Sequence, residues 1–394
     1  GTLSTWTATA SSPLLSGYTN NPIPTTVLKD TLINTGAQID TVFYSISPHS
    51  GTCTGPDSVI RVPVKPLPTL TDTTLVKSIC DSAFTNLIPT RFPGNTRFTW
   101  TCTASSANLA GYADNLSAPD TLINQRLTNS GVSIDTVYYH LAPWIYGCQG
   151  DTTVYKVAVY PNPDLSITPL SKSICNNAST EVTLTSNVTG TLFTWTCTPS
   201  SANVTGWSDN ATPTTTLNQP LTVTGDAIQT VTYHITPILG SCSGKAKDLV
   251  VTVYPTLKLT NNPLIQPQCD SANTLLALVP NLANTLFTWT CTPSDPSITG
   301  YSDNNVPDDS INQLLRNSSY LTQQVTYAIT PHYNGCSGSV FNFIVKVYPV
   351  PDLSNAPPAK PICDSTGSNV TLTSHVANTL FTWTCTPSSV DITG

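Results

Sequence analysis

Cysteine spacing constrains this chain more than any other feature of its sequence. The gaps between successive cysteines are 27, 22, 46, 27, 22, 45, 27, 22, 45, 27 and 22 residues. This three-cysteine pattern returns every 94 or 95 residues, and Trp100, Trp195 and Trp289 keep the same step. A repeat of that length is a domain rather than a solenoid unit. The sequence therefore predicts a row of similar domains, each with its own core.

Proline marks the boundaries between the copies. Val159-Tyr160-Pro161, Val253-Tyr254-Pro255 and Val347-Tyr348-Pro349 recur in register, with Val64-Lys65-Pro66 in the first copy. Because proline has no amide hydrogen to donate, a strand ends there. We predict a first copy without its opening strands, three complete copies and a fifth segment with opening strands only, at residues 1–66, 67–160, 161–254, 255–348 and 349–394. Short proline-containing linkers favour a stiff rod, and a chain that starts inside a repeat is expected to be a piece of a longer, processed polypeptide.

Alternation with a period of two predicts the fold of each copy. In Phe193-Thr194-Trp195-Thr196-Cys197 the large groups share one face and the threonines the other, as in a strand with one side on a core. Charged residues make up only 9% of the chain and prolines number 33, so strong helix formers are scarce. We expect an all-β chain of tandem immunoglobulin-like sandwiches, each with about seven strands.

Charge and composition exclude several functional classes. The net charge is −7 and basic residues are scattered, which argues against nucleic acid. No apolar run is long enough to span a membrane. Glu181 is the only glutamate, and His140 and His234 lie a full copy apart, too far to share a metal ion. We expect no catalytic site, no metal and no cofactor.

Recurring motifs resemble a known family. They are Phe287-Thr288-Trp289-Thr290, Ile311-Asn312-Gln313-Leu314-Leu315, Val325-Thr326-Tyr327-Ala328-Ile329-Thr330-Pro331, Asn334-Gly335-Cys336-Ser337-Gly338 and Pro361-Ile362-Cys363-Asp364-Ser365. The copies resemble the PKD-like (polycystic kidney disease-like) repeats of very large surface adhesins of gliding Bacteroidota, which are exported by type IX secretion. The resemblance covers essentially the whole chain. It implies an extracellular stalk or adhesin, and the family has no shared ligand.

The cysteines allow three pairing schemes. Twelve cysteines fit an oxidising exterior. In the first scheme each copy closes on itself, and such a bridge over about 22 residues would stabilise it by roughly 3 kcal/mol. Its pairs are Cys80 with Cys102, Cys175 with Cys197, Cys269 with Cys291 and Cys363 with Cys385. In the second, Cys80 pairs with Cys242 and Cys175 with Cys336 across a junction, and the third-strand cysteines remain thiols. The third scheme joins different chains. The cysteines of the last hairpin, which are candidates for bonds between domains or chains, are Cys53, Cys148, Cys242 and Cys336.

Two further patterns suggest sugars. Asp followed by Ser or Thr and then an aliphatic residue or Thr resembles the O-glycosylation signal of Bacteroidota, although such pairs also favour turns. The candidate acceptors are Thr31, Thr41, Thr121, Thr136 and Ser310. A loop of Gly, an aromatic residue, any residue, Asp or Asn, and Asn recurs in four copies, and its ring could stack on a glycan or fold over the sandwich edge. Its aromatic residues are Tyr18, Tyr112, Trp207 and Tyr301.

The sequence thus predicts a non-enzymatic, secreted stalk segment of a giant cell-surface filament or adhesin. It would space and attach surfaces or cells under force, and it would self-associate into a multi-chain fibre. A multivalent glycan-binding array is the alternative.

Overall fold

The structure is a computed structural model that describes residues 1–355 and 359–393. Those residues form strands, turns and loops, and no helix among them has the length and hydropathy needed to cross a membrane. The strands fall into four sets that follow one another along the chain. This arrangement confirms the predicted all-β, tandem immunoglobulin-like fold.

The strands are numbered in chain order. The first copy contains β1 (Leu3–Ala10), β2 (Leu15–Ser16), β3 (Asn21–Thr25), β4 (Ile33–Asn34), β5 (Asp40–Ser50), β6 (Cys53–Thr54) and β7 (Ser58–Val64). The second contains β8 (Thr69–Leu70), β9 (Val76–Cys80), β10 (Arg91–Phe92), β11 (Arg97–Ala104), β12 (Leu109–Ala110), β13 (Asn115–Asp120), β14 (Thr128–Asn129), β15 (Asp135–Ile145), β16 (Cys148–Gln149) and β17 (Thr153–Tyr160).

The next two copies repeat this order. The third contains β18 (Ser171–Ile174), β19 (Val182–Thr183), β20 (Leu192–Pro199), β21 (Val204–Thr205), β22 (Asn210–Thr214), β23 (Thr216–Leu217), β24 (Thr222–Val223), β25 (Gln229–Leu239), β26 (Cys242–Ser243) and β27 (Lys247–Val253). The fourth contains β28 (Ile265–Cys269), β29 (Ala272–Asn273), β30 (Leu276–Ala277), β31 (Leu286–Pro293), β32 (Ile298–Thr299), β33 (Asn304–Asp308), β34 (Ser310–Ile311), β35 (Leu314–Asn317), β36 (Gln323–Tyr333), β37 (Cys336–Ser337) and β38 (Phe341–Tyr348).

Each complete copy has one large sheet faced by short strand pairs. In the second copy the sheet order is β13, β11, β15, β17 and β9, with β16 folded back on β15. Strand β9 runs parallel to β17, whereas the other pairs are antiparallel. The parallel pairing places the end of the opening strand beside the end of the last strand, at the pole that faces the next copy. This placement is what brings the junction cysteines within reach of each other.

Side-chain alternation builds the core. Along β15 the residues Val137, Tyr139 and Leu141 are fully buried, and their neighbours Tyr138 and His140 are partly exposed. Burying one such side chain contributes roughly 2 kcal/mol. The buried residues of the other copies occupy equivalent positions and form separate clusters. Each copy therefore has its own core, as the period of two predicts.

The layer opposite the large sheet is more broken than the predicted set of about seven strands. A complete copy has ten or eleven strand segments, several of only two residues. One cause is a buried threonine: Thr85 Oγ1 donates to the Ile123 carbonyl at 2.7 Å and accepts from the Gln125 amide at 2.9 Å. The side chain thus replaces ladder bonds. Thr180 and Thr274 repeat the arrangement in the next copies.

Candidate functional site at the junctions between copies

Two disulfides cross the boundaries between neighbouring copies. Cys80 is bonded to Cys242 and Cys175 to Cys336, with Cα–Cα distances of 5.5 and 5.6 Å. Each bridge joins the opening strand of one copy to the last hairpin of the next. The sequence separations of 162 and 161 residues make the two covalent loops overlap within the third copy. The junctions are therefore held by covalent bonds as well as by packing.

This connectivity corrects the scheme in which each copy closes on itself. Cys102, Cys197 and Cys291 are half-buried thiols, and Cys269, Cys363 and Cys385 are exposed thiols. The expected bonds of Cys80 with Cys102 and Cys175 with Cys197 do not form, because β9 and β18 run parallel to the last strand of their copy and end at the pole facing the next copy. Their cysteines consequently face the next domain. The cross-junction scheme describes both pairs.

Aromatic side chains pack beside the bridges. Tyr160 lies against Gly240, which has φ of +60°, and a Cβ there would lie 2.9 Å from the tyrosine ring. Only glycine fits both the left-handed backbone and the ring. At the next junction Tyr254 meets Tyr333 edge to face, with ring centroids 5.1 Å apart, and Asn334 Nδ2 donates to the Tyr254 hydroxyl at 3.2 Å. The tyrosine of the Val-Tyr-Pro motif therefore packs against the next copy, in addition to the proline that marks the boundary.

Polar contacts add to the junction between the third and fourth copies. Asp226 accepts a hydrogen bond from Asn281 Nδ2 at 2.7 Å and contacts Lys258 Nζ at 3.4 Å. These two hydrogen bonds lower the pKa of Asp226 below its ordinary value. Asn176 Nδ2 donates across the same boundary to Thr256 Oγ1 at 2.7 Å. These contacts could not be predicted from a sequence motif, because the residues that make them do not recur in every copy.

The first junction, between the first and second copies, has neither a disulfide nor a packed tyrosine ring from the preceding copy. Lys65 stands where Tyr160 and Tyr254 stand in later copies, and its ammonium donates to the Tyr146 carbonyl at 2.8 Å. The Tyr146 hydroxyl in turn donates to Gln38 Oε1 at 3.3 Å. Cys148, the counterpart of Cys242, is a thiol. Polar contacts thus take the place of the bridge and the packed ring.

The recurring aromatic loop is part of a network on the sandwich edge. The Ala113 carbonyl accepts bonds from Trp100 Nε1, Cys102 Sγ and Gln125 Nε2 at 3.0, 3.4 and 2.7 Å. Asp114 accepts the Cys102 amide at 2.7 Å. The same bonds recur around Ser208 and Ser302. The Asp of the loop therefore has a structural role in each complete copy.

The third-strand thiols belong to this network. Burial, and then the neighbouring Asp114 carboxylate, raise the pKa of Cys102 to about 12. The same two causes raise the pKa values of Cys197 and Cys291 to about 12. Because thiolates are the reactive form of cysteine, the raised pKa values keep these groups as protonated thiols near neutral pH.

The buried tyrosine of the long strand completes the network. Tyr139 donates its hydroxyl to Gln125 Oε1 at 2.9 Å, and Tyr233 and Tyr327 make the equivalent bond. In the first copy Tyr44 donates instead to Asp30 at 2.7 Å. The adjacent loop carries Asn20 where the other copies carry Asp, so each network keeps one carboxylate and one amide. This exchange avoids two neighbouring negative charges.

The four candidate glycan-stacking rings are all half-buried. They pack against the core clusters of their copies, and the Trp207 indole donates to the Val204 carbonyl at 3.1 Å. The residues concerned are Tyr18, Tyr112, Trp207 and Tyr301. Each ring therefore presents only part of its surface to solvent.

The candidate glycosylation hydroxyls lie at the surface. Thr31 is exposed, whereas Thr41, Thr121, Thr136 and Ser310 are partly exposed. Several aspartates of this motif have structural bonds, since Asp30 accepts from Tyr44 and Asp135 from Ser105 and Ser106. At Thr41, Thr136 and Ser310 the motif lies in a strand rather than in a turn, and its hydroxyl-bearing residue is still partly exposed.

The described residues contain no recognisable metal site. Within residues 1–355 and 359–393, no cluster of three or more His, Cys, Asp or Glu side chains is placed to hold a metal ion. Cys242, which lies in a Gly-Ser-Cys-Ser-Gly segment that superficially mimics a nucleophile elbow, is one half of a disulfide. Its sulfur is therefore not a free nucleophile in this state.

A family model described as a PKD-like domain matches the chain four times, at residues 1–68, 77–163, 172–257 and 269–351. Among solved structures, the I67–I69 I-band fragment of titin is 8% identical, with 72% of this chain and 98% of that chain covered and a TM-score of 0.36. The extracellular cadherin domains 3–6 of protocadherin gamma B2 are 10% identical, with 88% and 92% covered and a TM-score of 0.26. No curated protein matches the chain.

Proposed function

The chain belongs to the PKD-like domain family, and from this premise we propose that it is a force-bearing stalk segment of a large extracellular filament or adhesin. Tandem immunoglobulin-like copies are typical of non-enzymatic structural or adhesion modules. Disulfides in such a chain are typical of extracellular proteins. The observation that carries the proposal is the pair of bridges across successive junctions.

The bridges suit a stalk because they limit bending and extension. Domains joined by a short linker alone are expected to move relative to one another. Here Cys80–Cys242 and Cys175–Cys336 add a second covalent connection at each boundary, beside the linker, since Cys80 is the register partner of Tyr160. Two covalent connections at one boundary restrict rotation of the copies more than a single flexible linker does. The bridged copies would therefore hold a tip or anchoring domain at a fixed distance.

Attachment, glycosylation and the export route are finer parts of the same proposal. The resemblance to adhesins of gliding Bacteroidota supports attachment to surfaces or cells and export by type IX secretion. The exposed hydroxyl of Thr31 supports O-glycosylation, which would help a chain with only 9% charged residues to remain soluble. Low-charge polar faces also support lateral self-association into a multi-chain fibre.

The glycan-binding alternative rests on the aromatic loops. Trp207 is the best candidate because tryptophan offers the largest ring, although this ring is partly buried against the core of the third copy. A glycan array probed with wild-type protein and Trp207→Ala would reveal such binding as signals lost in the variant. Signals absent from both proteins would leave the stalk as the function.

Electron microscopy of single molecules tests the stalk proposal. The distribution of angles between the second, third and fourth copies should be narrow in the oxidised protein and should broaden after reduction with dithiothreitol. The first junction serves as the internal control, because it has no bridge to reduce. Equally broad distributions at all junctions before reduction would contradict a stiff stalk.

A further inference from the structure

One pole of the second copy has a cleft whose residues depart from the repeat. It lies where β11, the edge strand β13 and the turn after β15 meet, and its volume of about 280 Å³ is close to the lower end of the range for small-molecule sites. Its lining includes Asn95, Arg97, Pro119, Trp144 and Tyr146. The fourth copy has a cleft at the same place, beside the bridged Cys336. The cleft is therefore a feature of the fold, and its lining is what distinguishes the second copy.

Arg97 and Trp144 lie directly opposite each other on neighbouring strands. They are register partners in β11 and β15, and both belong to the outer face of the large sheet. Side chains at such positions are within contact range of each other. In the other copies the corresponding pairs are Leu3 with His49, Leu192 with Ile238, and Leu286 with His332. The fold therefore does not require arginine or tryptophan here, and only the second copy places a cation beside an indole ring.

Tyr146 adopts a backbone conformation that is unfavourable for an aromatic residue. Its φ is +47°, and its counterparts in the other copies are Gly51, Gly240 and Asn334. Strained conformations of this kind cluster at ligand-binding and catalytic sites. The Tyr146 hydroxyl accepts a hydrogen bond from the Nδ2 atom of Asn95 at 3.4 Å and donates to an amide oxygen of the first copy at 3.3 Å. These bonds hold the tyrosine at the rim of the cleft.

Two cations at the cleft have no carboxylate partner. Arg97 is exposed, and one of its N–H groups contacts a backbone carbonyl of β13 at 3.4 Å. The Lys65 ammonium lies 4.0 Å from the position that a Cβ on Gly147 would occupy. In the described part of the chain neither cation forms an ion pair with Asp or Glu. Asp120, at the end of β13, accepts the Thr121 amide at 2.6 Å instead. The remaining guanidinium donors are therefore available to an anion.

We propose that this cleft binds an acidic saccharide, which is a sugar whose ring carries a carboxylate. Arg97 binds the carboxylate through two parallel N–H groups, because the planar guanidinium matches its geometry. Trp144 packs its ring against the C–H face of the sugar, and a hydrogen bond of 3.0 Å from its Nε1 to Thr99 Oγ1 holds that ring in place. Asn95 offers amide groups to the sugar hydroxyls. The inference does not depend on the stalk role, and the site is separate from the recurring aromatic loops.

The chemistry of the cleft favours an acidic sugar over other classes of ligand. A neutral sugar would leave the guanidinium without a partner, and an apolar ligand would desolvate the cations without replacing their hydrogen bonds to water. A nucleic acid requires a longer basic track, whereas this chain has a net charge of −7 and scattered basic residues. One guanidinium beside one indole in a small cleft matches a single ring with a single carboxylate.

The experiment titrates the full 394-residue chain with trigalacturonic acid and, separately, with sialyllactose, using isothermal titration calorimetry. At least one of them should bind, and the two probes distinguish uronic-acid polymers from sialylated glycans as the source of the sugar. The uncharged counterparts are the methyl ester of trigalacturonic acid and lactose, which should bind about tenfold more weakly or worse. Binding of neither acid would overturn the proposal, as would equal binding of the uncharged counterparts or of polyglutamate.

Variants that restore the residues of the third copy test the site with side chains that the fold already accommodates. Arg97→Leu and Trp144→Ile should each weaken binding about tenfold or more. Lys156→Ala removes an exposed charge from the same copy and Trp207→Ala removes the ring of an aromatic loop, so both should bind like the wild type. In ¹⁵N-labelled protein, the indole N–H signal that Trp144→Ile loses should shift as the sugar is added. An unshifted signal, or unchanged affinity in Arg97→Leu and Trp144→Ile, would contradict the assignment of this cleft.

Discussion

The first junction and the two bridged junctions hold neighbouring copies together by different kinds of contact. At the bridged junctions a disulfide lies beside a packed tyrosine, as in Tyr160 against Gly240. At the first junction the corresponding residues are Lys65 and Tyr146, which contribute a charge-assisted hydrogen bond instead. An exposed bond of that kind contributes of the order of 1 kcal/mol. The comparison shows that copies of the same fold are joined by either chemistry, and that the two bridged junctions have a covalent connection besides the linker.

The largest difference should be seen under tension. The polypeptide from Cys80 to Cys336 spans 256 residues, but with both bridges closed the shortest covalent path contains the 67 residues from Cys175 to Cys242. When one molecule is stretched until its domains unfold, reduction should release the other 189 residues, about 660 Å of contour at roughly 3.5 Å per residue. Optical tweezers measure this length directly.

Cys242→Ser is the matched control for the stretching measurement. It opens one bridge, and the shortest path then runs along the 95 residues from Cys80 to Cys175 before crossing to Cys336. The contour should grow by 28 residues, about 100 Å. If reduction increased the contour length by the same amount in the wild type and in Cys242→Ser, the two bridges would not overlap.

Removing a bridge should also weaken the copies that it joins. In the chain-entropy model, closing a loop of 162 residues stabilises the folded state by about 5 kcal/mol. Cys242→Ser should therefore lower the free energy of unfolding of the second and third copies by up to that amount. Cys148→Ser, at the equivalent unbridged position, should change it by less than about 0.5 kcal/mol. Hydrogen exchange measured separately for each copy gives the free energy of unfolding of both variants. Equal losses of that free energy in the two variants would contradict a stabilising role of the bridge.

A glycine pair isolates the contribution of ring packing. Gly240 and its first-copy counterpart Gly51 both have φ of +60°, but only Gly240 has a ring within reach, whereas a Cβ on Gly51 would meet open space. Both alanine variants therefore incur the cost of left-handed backbone, about 1 kcal/mol or more. Gly240→Ala should lose roughly 1–3 kcal/mol beyond Gly51→Ala, because Tyr160 must move. Thermal unfolding measures the stability of both variants. Identical losses of stability would show that packing of the Tyr160 ring on Gly240 does not stabilise the junction.

Acid should distinguish the first copy from the others by a small amount. Partial burial would raise the pKa of Asp30, but hydrogen bonds from Tyr44 and Thr19 outweigh it and hold the pKa below the ordinary value of 3.8. The stabilisation is therefore complete well above pH 3.8 and is lost as the pH falls through the lowered native value. The corresponding Gln125 does not titrate. Hydrogen exchange near Tyr44 should increase in acid, and Asp30→Asn should reduce that increase.

The fold could be predicted from the sequence because its causes are local. Alternation along Phe193–Cys197 fixes which side chains face the core, and proline after Tyr160 fixes where a strand stops. Neither inference needs knowledge of another copy. Strand counts were less accurate because the buried hydroxyl of Thr85 replaces ladder bonds, and a threonine in the core cannot be told from one on the surface by residue type.

The disulfide pairing could not be chosen from the sequence because its cause is not local. Cys102 is nearer to Cys80 along the chain than Cys242 is, and the loop-closure term alone does not decide which pair meets. The decision lies in the direction of β9, which runs parallel to β17 and carries Cys80 towards the next copy. The aspartate of the aromatic loop recurs because it accepts a hydrogen bond from the backbone amide of the third-strand cysteine, as Asp114 does from Cys102. A glycan-binding loop could show the same repeated motif, so the motif alone does not distinguish the two roles.

Peptide mapping without reduction tests the central claim most directly. Protein purified with thiols blocked at the outset is digested, and its linked peptides are identified by mass spectrometry. The bridged junctions predict Cys80 linked to Cys242 and Cys175 linked to Cys336, with Cys102 and Cys197 recovered as blocked thiols. Recovery of Cys80 linked to Cys102 and of Cys175 linked to Cys197 would contradict it.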